Sequence, residues 1–156
     1  AIVGFEANGG FFTASRFKLG RAVLSPLPTR DCFLPIMAVL VSARKAKKPL
    51  SQFASQFGLP EARAGRLENF AIEKSAALVK KLSGSPIEAQ AFFKSIGEIK
   101  KRNIIDGLRL TFASNEIIHL RPSGNAPEFR CYVEAVSTKS ANDLLARAMK
   151  LLEAQR

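Results

Sequence analysis

The sequence predicts an α+β protein in two units, and three observations carry that prediction. Apolar and polar residues alternate in "DGLRLTF" and again from Phe129 to Val136, the period-two signature of half-buried strands. They recur at intervals of three and four from Ser140 to Gln155, where Leu144, Leu145, Ala148, Leu151 and Leu152 mark one face of a helix. In "KKPLSQFASQFGLPEARAG" the turn residues thicken, which places a boundary near Leu59 and Pro60 and divides the chain into 1–59 and 60–156.

Ala1 to Phe5 reads as a short strand, broken by Asn8-Gly9-Gly10, after which Phe11 and Phe12 resume the apolar run. Past "LSPLPTRD", Thr29 or Asp31 is placed to cap a helix whose residues Phe33, Ile36, Met37, Leu40 and Val41 fall at helical spacing. Pro35 is tolerable in the first turn of that helix. "RKAKK", Arg44 to Lys48, complements the negative end of its dipole before Pro49 stops it. In the second unit, Arg66 to Ala71 reads as a strand and Glu73 to Leu82 as a helix with Ala77, Leu78 and Leu82 inward; Pro86 to Ile96 reads as a further helical piece. Gly97 to Asn103 fits no period. Leu108, Leu110 and Phe112 then point inward on a strand, "ASNE" turns the chain, and Ile117 to Leu120 returns it. On the next strand Phe129, Cys131 and Val133 share one face and Arg130, Tyr132 and Glu134 the other. The second unit is thus expected to be a small antiparallel sheet covered by helices.

The chain has 156 residues and 47% hydrophobic content, enough for a packed core, and a net charge of +11 that favours anionic partners such as phosphorylated metabolites, nucleic acid or acidic lipid. The longest apolar run, Cys32 to Ala43, falls short of the ~20 residues that cross a bilayer. Cys32 and Cys131 lack CxxC spacing and sit in apolar stretches, so a reduced, cytoplasmic chain with two buried thiols is expected. The first residues enter directly into a strand, without an initiator Met or a basic leader, as the middle of a longer chain would.

Between the last two strands stands "LRPSGNAPEFRCYVEA". Pro122 and Pro127 stiffen a connection in which Ser123, Gly124 and Asn125 offer backbone N–H groups and small polar side chains. Arg121 adds a guanidinium fork suited to phosphate, with Arg130 close by on the next strand. A polar turn whose serine and asparagine satisfy their own backbone is the competing reading from chemistry alone.

The same stretch is similar to the phosphate-binding loop of the α-D-phosphohexomutases, Arg-Pro-Ser-Gly-Thr-Glu-Pro followed by an arginine on the next strand. It matches at Arg121, Pro122, Ser123, Gly124, Pro127 and Arg130, with Asn125 in place of Thr and Ala126 in place of Glu. "GFEANGGFF" resembles the family's sugar-binding loop, Gly-Glu-x-Ser-Gly-His: Glu6 matches the glutamate and Gly9 the glycine, Asn8 takes the serine position and Gly10 replaces the His. The resemblance implies that residues 1–59 are a truncated α/β unit, the latter part of a sugar-binding third domain, and that 60–156 are the C-terminal phosphate-binding domain. Arg121, Ser123, Gly124, Asn125 and Arg130 would bind phosphate, and Glu6 and Asn8 sugar hydroxyls. The implied activity is exchange of phosphate between the 1 and 6 positions of a hexose. The implied phosphoserine and magnesium ligands belong to N-terminal domains absent from this chain, so the chain alone is expected to be inactive and to bind no metal.

Other candidates carry less. His119, the single histidine, has no nearby carboxylate in sequence and reads as an ordinary strand residue, while Glu134 is placed to pair with Arg130. The alternative function is a free-standing basic module for nucleic acid or acidic partners, centred on "RKAKK"; the absence of interleaved aromatics there argues against nucleic acid.

Overall fold

A computed structural model of the chain describes residues 1–6 and 10–156. It separates into two compact units, Ala1–Leu59 and Pro60–Arg156.

The first unit opens with β1 (Val3–Phe5) and β2 (Phe11–Thr13), passes through a hairpin of β3 (Phe17–Leu19) and β4 (Ala22–Leu24), and continues with β5 (Leu27–Asp31), α1 (Phe33–Lys45) and α2 (Leu50–Ser55). Strands β1, β2 and β5 pair antiparallel in that order. Asp31 ends β5 and starts α1: its Oδ2 accepts from the Leu34 N–H at 2.7 Å, so one of the helix's orphan donors is satisfied. Pro35 falls in the first turn, and Arg44 and Lys45 in the last. The apolar residues of α1 nevertheless stay uncovered: Phe33 is 72% exposed, and Ile36, Met37, Leu40 and Val41 are exposed as well. Among the described side chains of this unit, Thr13 and Ala43 are buried. Strands of three to five residues present too little surface to cover a 13-residue helix with apolar residues on most of its circumference. Cys32, expected to be buried, is exposed for the same reason.

The second unit comprises β6 (Glu61–Glu68), α3 (Ile72–Gly84), α4 (Pro86–Phe92), β7 (Ile99–Asn103), β8 (Leu108–Phe112), β9 (Ile117–Pro122), β10 (Glu128–Ala135) and α5 (Thr138–Glu153). The strands form one antiparallel sheet in the order β6-β10-β9-β8-β7. Helices α3 and α5 pack on the same face: α3 lies against β8, β9 and β10, and α5 against β6 and β10. Between sheet and helices lies a core that includes Phe70, Leu82, Phe93, Leu108, Leu110, Phe112, Ile118, Leu120, Phe129 and Leu144, each at most 1% exposed. Burying a side chain of this kind contributes about 1.5–3 kcal/mol.

Local chemistry sets the element ends. Ser85 accepts from the Glu88 N–H with Pro86 in the first turn of α4, and Ser137 accepts from the Ser140 N–H at the start of α5. The helix expected to reach Ile96 stops at Phe92. Gln90 there turns its amide to the following segment, donating to Gly97 O at 3.0 Å and accepting from the Ile99 N–H at 2.9 Å. That brace starts β7, whose basic run hides its strand character. Strand β6 begins at Glu61 rather than Arg66. Its inward Gly65 admits α5, since an added Cβ would stand 3.0 Å from Met149 Sδ and 3.2 Å from Leu145 Cδ1. Small residues at 62, 64 and 65 conceal the period from sequence reading. In α3, Ser75, Val79 and Leu82 are buried, whereas Ala77, expected inward, is exposed.

Cys131 faces the core, and burial pushes its thiol up to about 12 from 9.0. The folded chain holds this proton more tightly than the unfolded one. The corresponding stability is complete below pH ~9 and is lost as pH rises towards 12. A disulfide-exchange reagent at pH 8 is expected to titrate one thiol, Cys32, in the native chain and two after denaturation; two fast native thiols would contradict a buried Cys131.

Candidate anion-binding site

The register of the sheet builds the site. Since Ile118 and Leu120 face the helices, Ile117, His119 and Arg121 face away, and the same alternation turns Arg130, Tyr132 and Glu134 on β10 and Arg109 on β8 to the same half-buried outer face. Arg121 and Arg130 stand directly opposite one another on paired strands, and Ser123, Gly124 and Asn125 lie in the connection that joins those strands. The five residues expected to bind phosphate are therefore neighbours at one end of the uncovered face.

Inside the connection, Ser123 is 4% exposed and its hydroxyl oxygen accepts from the Asn125 N–H at 3.4 Å and the Ala126 N–H at 3.2 Å. The turn thus partly satisfies its own donors, as its composition favours. These bonds are long, and Gly124 and Asn125 are exposed. The Ser123 N–H donates to Glu128 O at 3.2 Å, and the Phe70 N–H donates to Pro127 O at 2.9 Å, anchoring the connection to the strand edge and the core.

Two carboxylates outside the expected set hold the arginines. Asp106, in the turn before β8, places Oδ1 3.1 Å from Arg121 Nε, and its carbonyl bonds the His119 ring nitrogen Nε2. His119 therefore braces this turn, with its ring centroid 5.9 Å from that of Tyr132 across the strand pair. Glu128 places Oε2 3.3 Å from Arg130 NH2 and Oε1 3.4 Å from Arg66 NH1. Glu134, read as a partner for Arg130, instead meets Arg109, whose NH2 lies 3.2 Å from its Oε1. Along β10, Glu128 lies two residues from Arg130 and Glu134 four, and Arg130 pairs with the nearer carboxylate while Glu134 reaches across to β8. The Asp-Gly pair at 106–107 is a turn signal that could have drawn attention to Asp106; only the register reveals Arg66 and Glu128 as neighbours of the site.

In the first unit, Glu6 pairs with Arg30, Oε2 to NH1 at 2.9 Å, and the Glu6 N–H donates to Gly10 O at 2.9 Å. Asn8, expected beside Glu6 as a sugar contact, lies outside the described residues. Among the described residues no group of three or more His, Cys, Asp or Glu side chains is arranged to hold a metal ion, and no helix is long and apolar enough to cross a membrane. A larger hollow, about 760 Å³, lies between α4 and β7 and contains none of the expected site residues.

The second unit is thus an antiparallel sheet with helices on one face and an arginine-flanked Ser-Gly-Asn turn joining β9 to β10 at one end. Residues 61–151 match the model of the phosphoglucomutase/phosphomannomutase C-terminal domain, and the chain belongs to that family. A phosphomannomutase of Sinorhizobium fredii is 48% identical over 151 residues, covering 97% of this chain, and one of Salmonella muenchen is 34% identical over 158 residues, covering 99%. In both cases the chain spans 32% of the relative's length.

Proposed function

We propose that the chain is the substrate-binding C-terminal portion of a cytoplasmic phosphohexomutase that interconverts hexose 1-phosphate and hexose 6-phosphate. The observation that carries this reading is the direct opposition of Arg121 and Arg130 across the turn formed by Ser123, Gly124 and Asn125. Two like charges in directly opposed positions repel; Asp106 and Glu128 offset part of that repulsion, and a bound oxyanion bridging both guanidiniums would offset it further. The phosphate not undergoing transfer binds there, with Arg121 and Arg130 as the charged grips and the turn supplying hydroxyl, amide and backbone donors. Transfer of a phosphoryl group is chiefly positioning and charge stabilisation, so fixing the far end of the substrate serves the reaction without any proton moving on these residues.

Residues 1–59 form the latter part of a sugar-binding third domain and 60–156 the phosphate-binding fourth. The uncovered apolar residues of α1 support this, since they want the remainder of a domain to pack against. Glu6 and Asn8 grip sugar hydroxyls. The carboxylates on the uncovered sheet face are committed to arginines and make a poor magnesium site, so the ion, like the phosphoserine, is held by N-terminal domains of the whole protein and the present chain is inactive alone.

Chemical-shift mapping with glucose 1-phosphate tests the reading. Saturable shifts are expected over residues 121–130, and Arg121→Ala is expected to weaken binding by about tenfold or more while leaving the fold intact, as loss of a charge-assisted bond implies. Unchanged affinity in that variant removes the turn from the account. Shifts confined to Arg44 to Lys48, with steep loss of binding to nucleic acid as salt rises, would favour a basic nucleic-acid module instead.

A further inference from the structure

The row of arginines does not end at Arg130. In the β6–β10 register Arg66 stands directly opposite Arg130, so Arg66, Arg130 and Arg121 occupy adjacent positions on three neighbouring strands. Beside Arg130, on the side away from the turn, is a hollow of about 310 Å³ lined by Ala64, Gly65, Arg66, Arg130 and Tyr132. Ala64 lies directly opposite Tyr132, and its small side chain leaves that space open. Glu128, with a side chain only 19% exposed, reaches both guanidiniums, 3.4 Å from Arg66 and 3.3 Å from Arg130. Glu68 holds the other amino group of Arg66 at 2.8 Å, but both partners of that pair are mostly exposed and the contact is weakly held.

We propose that Arg66 and Arg130 form a second oxyanion subsite for a phosphate group, adjoining the Arg121 turn and sharing Arg130 with it, and that the Glu128 carboxylate is the resident counter-ion a phosphate displaces. The chemistry follows from the pairing. A carboxylate between two guanidiniums carries one negative charge, whereas a phosphate dianion carries two and offers three acceptor oxygens to the two planar forks. The aromatic ring of Tyr132 walls the hollow, and its hydroxyl is a further donor of the right kind. The subsite rests on the placement of Arg130 within the turn's anion site but not on the turn itself, so the two are separable.

The test is a titration of the 156-residue chain with inorganic phosphate at constant ionic strength, reading the Nε–H resonances of Arg66 and Arg121 separately. The expected result is a saturable shift of the Arg66 resonance that survives Arg121→Ala and is abolished by Ala64→Leu, which fills the hollow at an exposed position. Glu128→Gln removes the competing carboxylate and is expected to tighten the Arg66 response by about tenfold. If Arg121 responds while Arg66 does not, the second subsite is overturned and the turn stands. If neither responds, both fall. A linear, unsaturating drift of Arg66, or a weaker Arg66 response in Glu128→Gln, also overturns the subsite.

Discussion

Replacing Phe93 by alanine is expected to destabilise the second unit by about 3–5 kcal/mol. Phe93 is fully buried immediately after α4, with its ring centroid 4.9 Å from Phe92 and 6.0 Å from Phe112, both in edge-on contact. Truncation removes the transfer free energy of the ring, leaves a cavity between α4 and β8, and breaks two aromatic pairs worth about 0.5–1.5 kcal/mol each beyond area. Tyr132, the single tyrosine of the chain, sits on β10 and there is no tryptophan, so urea unfolding followed by tyrosine fluorescence reports on this unit. Phe33→Ala is the matched contrast. At 72% exposure it is expected to change stability by no more than about 0.5 kcal/mol. A Phe93 variant within 1 kcal/mol of the parent would mean that the α4 corner is not part of the cooperative core.

The contrast between those two phenylalanines shows which features of the sequence carried information. In the second unit the alternation in "DGLRLTF" and Phe129 to Val136 was legible because one face of each strand is buried, which forces a period of two. Strands β6 and β7 were obscure for different reasons: β6 places Gly65 inward and Ala62 and Ala64 outward, so its two faces differ little in size, and β7 spends its middle on Lys100, Lys101 and Arg102. The α1 stripe read as a buried face, yet spacing specifies only that a face exists and not what covers it. At the site, the Arg-Pro-Ser-Gly turn was visible because proline, serine and glycine signal local geometry. Glu128 and Arg66 lie 62 positions apart from a local viewpoint blind to register, so their meeting with Arg130 was not.

Gly107→Ala is expected to damage fold and anion binding together. Gly107 adopts φ +81°, where a Cβ costs on the order of 1–3 kcal/mol, and that Cβ would also collide with the Leu120 carbonyl oxygen and stand 3.3 Å from Arg121 Cα. These neighbours are backbone and cannot rotate aside, so the Asp106-Gly107 turn must move relative to β9. The Asp106 carboxylate then loses its hold on Arg121 Nε, and its carbonyl loses His119. The substitution should therefore cost at least 2 kcal/mol of stability by the sum of strain and overlap, and weaken phosphate binding at the turn even under conditions where the chain remains folded. Gly124→Ala separates the two effects, because no atom lies within 4 Å of an added Cβ and its φ is unexceptional; stability should stay within about 0.5 kcal/mol of the parent. Denaturant unfolding of both variants, paired with phosphate titration, checks the claim. Equal stability for the two would show that the turn before β8 accommodates a side chain, and that Asp106 does not depend on Gly107 to reach Arg121.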